Sequence, residues 1–425
     1  MTACSAGFRR CVTRTLWIIP SVLVLAGTAR AAPLTVTPRF GVSEEYNDNI
    51  FFNQNHTEDY ITSLRLGLTA VYQRPDLTTS LSTGTSARFF ARGVGTNAID
   101  LAEATRGNLS TAYQASSRLS FGLSDSIARV GRTRSLSSAT TTDLGTTDST
   151  AANTVTTSST DLGGVSVLLP RGNALSNSLG VTAGYLLTPL VSSTVAYTNT
   201  LFTFSDPGGT NLTNSGSLGL GYEWSPTFGT NVGYSYSRFD SNVSADADTH
   251  TVTVGANYEF SPEWSAYGSA GGFINRQFGF GTTSTIGTPT RTGATFDLGL
   301  TRTFESSGLT VRGRQGITPS AGVAGTSITR EGLLSYYAVL AQELTGSLTT
   351  SYSSFDTSQG SFQVFQLYTG ISYAVWQNVS AGLFYGYRRS EAGQAVGSIL
   401  SAGTIDSNVV RLQVWVTYPL WRGDI

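Results

Sequence analysis

Apolar and polar residues alternate with a period of two along most of this chain, in runs of about ten positions separated by brief breaks. The clearest unit is the stretch from Gly216 to Phe239. Leu218, Leu220 and Tyr222 share one parity, and Gly219, Gly221 and Glu223 share the other. Successive side chains of a strand point to opposite faces, so the first set forms an apolar face. Ser225-Pro226 interrupts the pattern, because proline has no amide proton for a ladder. Phe228, Val232, Tyr234 and Tyr236 then resume it. The unit predicts a β-hairpin with one apolar face.

Nearly everything else repeats this hairpin. Turn signals lie at Arg74-Pro75-Asp76, Ala115-Ser116-Ser117, Thr188-Pro189, Ser225-Pro226, Ser261-Pro262, Ser306-Ser307-Gly308, Gln342-Glu343 and Trp376-Gln377-Asn378. Eight hairpins, a first strand over Leu34 to Glu45 and a last over Ser407 to Trp421 predict about eighteen strands, with roughly 16 to 20 open. The margin comes from the interval between Ser116 and Pro189. Its Thr-, Ser- and Asp-rich part, Arg132 to Asn173, reads as one long loop that folds inward or caps a mouth.

A repeat of this period also suits a soluble β-propeller. Two features favour a membrane barrel. Strands such as Ser63 to Tyr72 and Leu212 to Trp224 reach the roughly 9 to 11 residues that a strand tilted by about 45° needs to span a bilayer. An aromatic residue on the apolar parity precedes the turns at Tyr72, Tyr113, Tyr185, Tyr222, Tyr258, Phe304 and Tyr373, with Tyr418 near the end. Rings at one height suit a membrane interface, where girdles of this kind flank the apolar band of outer-membrane barrels.

Residues 1–31 are set aside as a secretory signal peptide, since Arg9, Arg10 and Arg14 precede the apolar run Leu16 to Ala26 and the small-residue site Ala29-Arg30-Ala31. Residues 32–425 show no linker or composition shift and read as one domain. The expected fold is therefore all-β, a membrane-spanning antiparallel up-and-down β-barrel in the cell outer membrane. Both cysteines, Cys4 and Cys11, lie in the leader, so the barrel itself offers no disulfide and no thiolate metal site. All 26 basic residues are arginine, and the 22 that follow the leader meet 27 acids. That balance argues against nucleic acid as a partner.

The segment Glu44 to Asn55 carries Tyr46, Asn47, Asp48, Asn49, Ile50 and Phe51. It resembles the N-terminal signature of the Gram-negative outer-membrane barrels known as β-barrel porin 2, some of which accompany envelope polysaccharide systems. Read from its residues alone, the segment is a polar loop whose Asn and Asp side chains bond their own backbone, or else a cation or sugar site. The last strand, with Val410, Leu412, Val414, Val416, Tyr418 and Leu420, resembles the signal read by the barrel-assembly machinery. It departs from that signal in ending with Arg422-Gly423-Asp424-Ile425 rather than an aromatic residue.

Catalytic chemistry has little to work with. Histidine supplies most general bases, and only His56 and His250 exist; no enzymatic activity, metal or cofactor is expected. Chemistry is expected in the lumen instead, on the parity opposite the apolar face, where Arg65, Arg88, Arg106, Arg312, Arg314, Arg388 and Arg411 lie among small polar residues. They either brace the wall against acids such as Glu223, Glu259 and Asp297 or select anionic solutes. Arg129, Arg238 and Arg389 share the outward parity near the upper ends of their strands, where lipopolysaccharide phosphates are the expected contact. The leading expectation is a pore for passive passage of small hydrophilic solutes or short saccharides. An outlet or scaffold serving exopolysaccharide export components and a surface adhesin or receptor are the alternatives.

Overall fold

The structure is a computed structural model that describes residues 33–92, 99–100, 106–130, 174–204, 208–242, 244–278, 290–319, 326–357, 360–392 and 403–424. The leader and the expected loop Arg132 to Asn173 lie outside the described residues. The strand segments are β1 (Pro33–Asn47), β2 (Asp59–Gln73), β3 (Leu77–Phe90), β4 (Ile99–Asp100), β5 (Arg106–Gln114), β6 (Leu119–Val130), β7 (Ala174–Thr188), β8 (Val191–Phe204), β9 (Gly209–Ser225) and β10 (Phe228–Ser241). They continue with β11 (Asp246–Ser261), β12 (Trp264–Phe278), β13 (Thr290–Thr303), β14 (Ser307–Pro319), β15 (Thr326–Ala341), β16 (Leu344–Thr357), β17 (Gly360–Trp376), β18 (Val379–Ala392), β19 (Gly403–Thr417) and β20 (Trp421–Asp424). The two-residue β4 pairs only with Arg88 and Phe89 of β3.

Each long strand pairs antiparallel with its sequence neighbours, and β1 pairs with both β2 and β19. That last pairing closes the sheet. β19 breaks at Tyr418–Leu420, yet the Tyr418 and Leu420 amides still donate to the carbonyls of Pro38 and Val36, and β20 resumes the same stave against Pro33–Val36. The result is a closed barrel of eighteen staves. β6 pairs directly with β7 from Leu119↔Tyr185 to Val130↔Ala174, so the wall is continuous there. This fixes the strand count that the sequence left between about 16 and 20.

The predicted turns fall where the sequence put them, all at one end of the barrel. At that end the Arg74 and Leu77 amides each bond the other's carbonyl, and Ser116 and Leu119 do the same. With an even number of staves the first and last strands share that end, which is the periplasmic one by the rule of short periplasmic turns and longer extracellular loops.

The period of two also assigns the faces correctly. Leu66, Leu218, Leu220, Val232, Val254, Leu298 and Leu412 project outward and are exposed. Tyr113, Tyr185, Tyr222, Tyr258, Tyr373 and Tyr418 form the expected exposed ring at the turn end, while Tyr72 and Phe304 are half-buried there. A second outward set, Tyr197, Tyr234, Tyr352 and Tyr385, lies near the middle of its strands, and Tyr60 lies at the far end of β2. Tyr197 and Tyr385 donate their hydroxyls to Asn214 and Asn408, as amphipathic rings do where apolar surface meets polar surroundings. Among the described residues no helix is long and apolar enough to cross a membrane. A closed barrel spans one without a helix, because every backbone group finds a partner in a neighbouring strand.

Leu220 sits within the outward band and is 49% exposed. Leu220→Arg should therefore cost about 2 to 4 kcal/mol, measured as refolding stability in lipid vesicles. Equal stability of variant and parent would refute the outward assignment.

Candidate functional site

The inner wall is unevenly charged. On the six adjacent staves β18, β19, β1, β2, β3 and β5 the inward residues include Arg388, Arg411, Arg39, Arg65, Arg88 and Arg106. Ladder positions bring them together: Gly41 pairs with Arg65, Ser63 with Arg88, Gly84 with Arg106, and Arg388 with Ser407. Glu45 supplies a carboxylate in their midst. Its Oε2 accepts from Nε and Nη2 of Arg411 at 2.9 and 2.6 Å, with both side chains nearly buried. Arg65 lies within electrostatic reach of Arg411, Arg88, Arg106 and Glu45, and it shares with Arg39 the ring of Trp415, at 5.7 and 5.6 Å from the centroid. That ring lies against Gly41, where no Cβ could fit.

Of the inward arginines on the far staves, Arg291 of β13 stands opposite buried Asn275 and has no ion pair among the described residues, whereas two others are paired. Arg312 donates Nε to Asp297 Oδ1 at 3.0 Å and Nη2 to Oδ2 at 2.5 Å, a bidentate pair that Tyr267 joins through its hydroxyl at 3.2 Å. Arg314 is bound to Glu331 at 2.5 Å. Of the acids the sequence singled out, only Asp297 braces an arginine; Glu223 and Glu259 form no ion pair among the described residues. Glu45 and Glu331 do this work instead. Both stand on the inward parity opposite arginines of the next strand, a relation that becomes visible only once the register is known.

The signature segment turns inward. Residues 48–58 connect β1 to β2 at the long-loop end and lie as a strap inside the mouth. Ile50, 1% exposed, packs on inward Ile61 and Phe90. Phe52 joins inward Phe355, Phe362, Val364, Ala392 and Ile405 and lies 4.3 Å from the guanidinium carbon of Arg388. The polar residues act largely as expected of a loop: Asn49 N donates to Asn47 Oδ1, Asn53 N to Asn49 Oδ1, and Asn55 N to Asn53 Oδ1. They also reach across the seam. Asp48 accepts from the Asn408 backbone and side-chain amides at 2.7 and 2.8 Å, and Asn49 Nδ2 donates to the Asp406 carbonyl at 2.9 Å.

Phe52 and His56 hold φ of 47° and 46°, the left-handed region that costs non-glycine residues about 1 to 3 kcal/mol. At the far end of the strap Glu58 bonds Arg92 and accepts the Tyr46 hydroxyl at 2.8 Å. These contacts, the one to Arg92 first, hold its carboxyl below the usual carboxylate range. The sequence reading missed that the strap enters the lumen; the signal was Ile50-Phe51-Phe52, three apolar residues in a segment otherwise polar.

A polar, arginine-bearing interior and an apolar exterior with a ring of aromatic residues at the turn end make this a bilayer-spanning barrel. It is an outer-membrane protein. No protein-family model matches the chain, and no curated protein matches it in sequence. Among solved structures it is similar to OccK7 (OpdD) of Pseudomonas aeruginosa, at 12% identity and a TM-score of 0.47, covering 92% of this chain and 99% of that one. It is also similar to OccAB4 of Acinetobacter baumannii, at 12% identity, a TM-score of 0.45 and coverage of 90% and 98%. For the outer-membrane protein OpdK of Pseudomonas aeruginosa the values are 9%, 0.44, 90% and 99%. The likeness is one of fold and extends to no substrate.

The three outward arginines occupy different surroundings. Arg238 sits among Asp240 at 2.7 Å, Asp248 at 3.1 Å and Asp246 at 3.6 Å. Arg389 lies 3.6 Å from Glu391. Arg129, exposed, has no ion pair among the described residues. The two histidines serve neighbours rather than a nucleophile: His250 Nδ1 bonds the Tyr234 hydroxyl at 2.8 Å, and His56 lies 3.7 Å from Asp406.

The buried pair at the seam generates a stability prediction. Glu45→Ala leaves the Arg411 guanidinium without its carboxylate at a nearly dry position and should cost about 3 to 5 kcal/mol. Glu45→Leu combined with Arg411→Met should recover most of that loss. Urea titration in vesicles reads both, and a Glu45→Ala barrel as stable as the parent would show that lumen water already solvates Arg411.

Proposed function

We propose that the barrel is a pore for passive passage of small hydrophilic solutes or short saccharides, with a preference for anionic ones. The observation that carries this reading is the concentration of inward arginines on six adjacent staves. Arg312 and Arg314 stand in near-neutral pairs with Asp297 and Glu331. Across the six staves, by contrast, six arginines face the two inward carboxylates Glu45 and Asp59. Charges on the wall act on a passing ion across a few ångströms, well within a Debye length of about 8 Å at physiological salt. The Ser- and Thr-rich remainder of the wall, with Ser178, Thr198 and Thr253 among its inward residues, offers hydroxyls to a hydrated solute.

On the lipid side, lipopolysaccharide is the partner proposed for the upper rim. Arg129 is the principal contact, because its guanidinium is not already engaged by carboxylates, whereas Arg238 and Arg389 would have to exchange theirs for phosphate. Arg129→Ala should lower lipopolysaccharide co-purification more than Arg238→Ala does; equal loss, or none, would remove Arg129 from that role.

For selectivity, Arg65→Ala with Arg106→Ala should move the reversal potential in a salt gradient toward cations, and the shift should shrink as salt is raised. The paired neutral change Arg312→Gln with Asp297→Asn should leave that potential where it was. A cation-selective parent, or equal shifts from the two double variants, would defeat the assignment.

A further inference from the structure

We propose that Arg388 anchors an oxyanion site in the lumen, and that Phe52 of the strap covers this site until an anion displaces its ring. The inference deepens the anion-pore reading and rests on it for the route by which the ligand arrives. Arg388, on the inner face of β18, is 8% exposed, and its Nε and Nη2 are shielded from water with no hydrogen-bond partner. Ser390, two residues along the same face and 1% exposed, has an equally unpartnered Oγ.

The barrel shows elsewhere what that edge of a guanidinium takes. Arg411 presents Nε and Nη2 to Glu45, and Arg312 presents the same two nitrogens to Asp297. At Arg388 the corresponding edge is bare. The inward acids of these staves point elsewhere: Glu45 Oε2 accepts from Arg411, and Asp59 Oδ1 accepts from the Tyr60 and Arg92 amides.

What Arg388 has is the face of Phe52, at 4.3 Å. An aromatic face attracts a cation through its quadrupole but accepts no directed hydrogen bond. A carboxylate or phosphate would supply two acceptor oxygens to the bare edge, and the Ser390 hydroxyl lies on the same inner face, two residues along, to donate to an oxyanion bound there. The strap is tied by Asp48 and Asn49 to the seam and by Glu58 to Arg92, and the Phe52 amide bonds the Asn49 carbonyl. Swinging the Phe52 ring about its side-chain torsions breaks none of these bonds and gives up only its apolar contacts and the face it presents to Arg388.

The test uses the full chain, with Cys4→Ser and Cys11→Ser, refolded into vesicles and carrying a fluorophore on Asn55→Cys at the exposed part of the strap. Acetate and inorganic phosphate are titrated separately at constant ionic strength against chloride. The site predicts a saturable fluorescence change with at least one of them, and the effective one identifies carboxylate or phosphate as the preferred form. Arg388→Gln and Arg388→Lys should each weaken half-saturation by about tenfold or more, the lysine because it keeps the charge but loses the two-nitrogen edge. Phe52→Ala should tighten it, since the competing ring is gone. No saturable change with either anion, an unchanged titration in Arg388→Gln, or an unchanged midpoint in Phe52→Ala would overturn the proposal. An anion-selective parent with a flat titration sinks the site alone. A cation-selective parent with an Arg388-dependent titration sinks the pore reading and leaves the site standing.

Discussion

Closure of the sheet between β1 and β19 is the constraint on which the rest depends. A sheet in a membrane cannot leave an edge, because unpaired amides and carbonyls have no water to turn to. Here the two strands that must meet are the first and the last of the wall, separated by nearly the whole chain. Their backbone ladder runs from Arg39↔Thr417 to Asn47↔Val409. Side chains extend the join beyond the ladder, through Asp48 to Asn408, Asn49 to Asp406 and Ser407 to Asn47. The Glu45–Arg411 pair lies inside the same join, where an unmatched register would leave a nearly buried charge alone. Such a pair adds little net stability, but it penalises slippage by one residue, which would turn both groups toward lipid.

The Tyr-Asn-Asp-Asn-Ile-Phe segment thus has a physical reading that its composition does not disclose. Its polar members tie the seam, and the apolar members that follow them pack on the inner wall. Asn47, Asp48 and Asn49 bond toward β19, whereas Ile50 and Phe52 turn to the inner faces of β2, β3 and β16 to β19. The strap can enter the lumen because its root is fixed at the seam. Without that anchor, burying Phe52 would have to offset the conformational entropy of the whole loop.

The fold was legible in the sequence to an unusual degree, and the reason is local. A strand with one face in lipid and the other in water must alternate, so Leu218, Leu220 and Tyr222 declared their side, and proline and small polar residues marked the turns. The sites were less legible, because they depend on pairings between strands. That Arg312 meets Asp297 and Arg411 meets Glu45 follows from register, and register across about 15 residues in the first case and 366 in the second is not written in either strand alone. The parity of each arginine was readable and its partner was not. Hence which arginines meet a carboxylate could not be read until the staves were aligned. The inward turn of Ile50 and Phe52 was hidden for a related reason: the apolar wall that receives them, Phe355, Phe362, Val364, Ala392 and Ile405, comes from four other strands.

The proposed charge preference and the proposed displacement of Phe52 meet at one place for a mechanical reason. A closed antiparallel wall is stiff, since moving one stave breaks ladders on both sides, so a barrel opens and shuts through segments outside the ladder. Here the described segment of that kind whose side chains line the lumen is the strap, and it lies over the arginine-bearing staves rather than over the Arg312–Asp297 and Arg314–Glu331 pairs. Phe52 touches Arg388 on β18, and the seam ties that hold the strap come from β19. Under the proposed anion preference, a solute drawn by the charge of that wall approaches a described segment of the mouth that lies outside the ladder. Charge preference in this barrel would then be expressed as much in what moves the strap as in what the wall attracts.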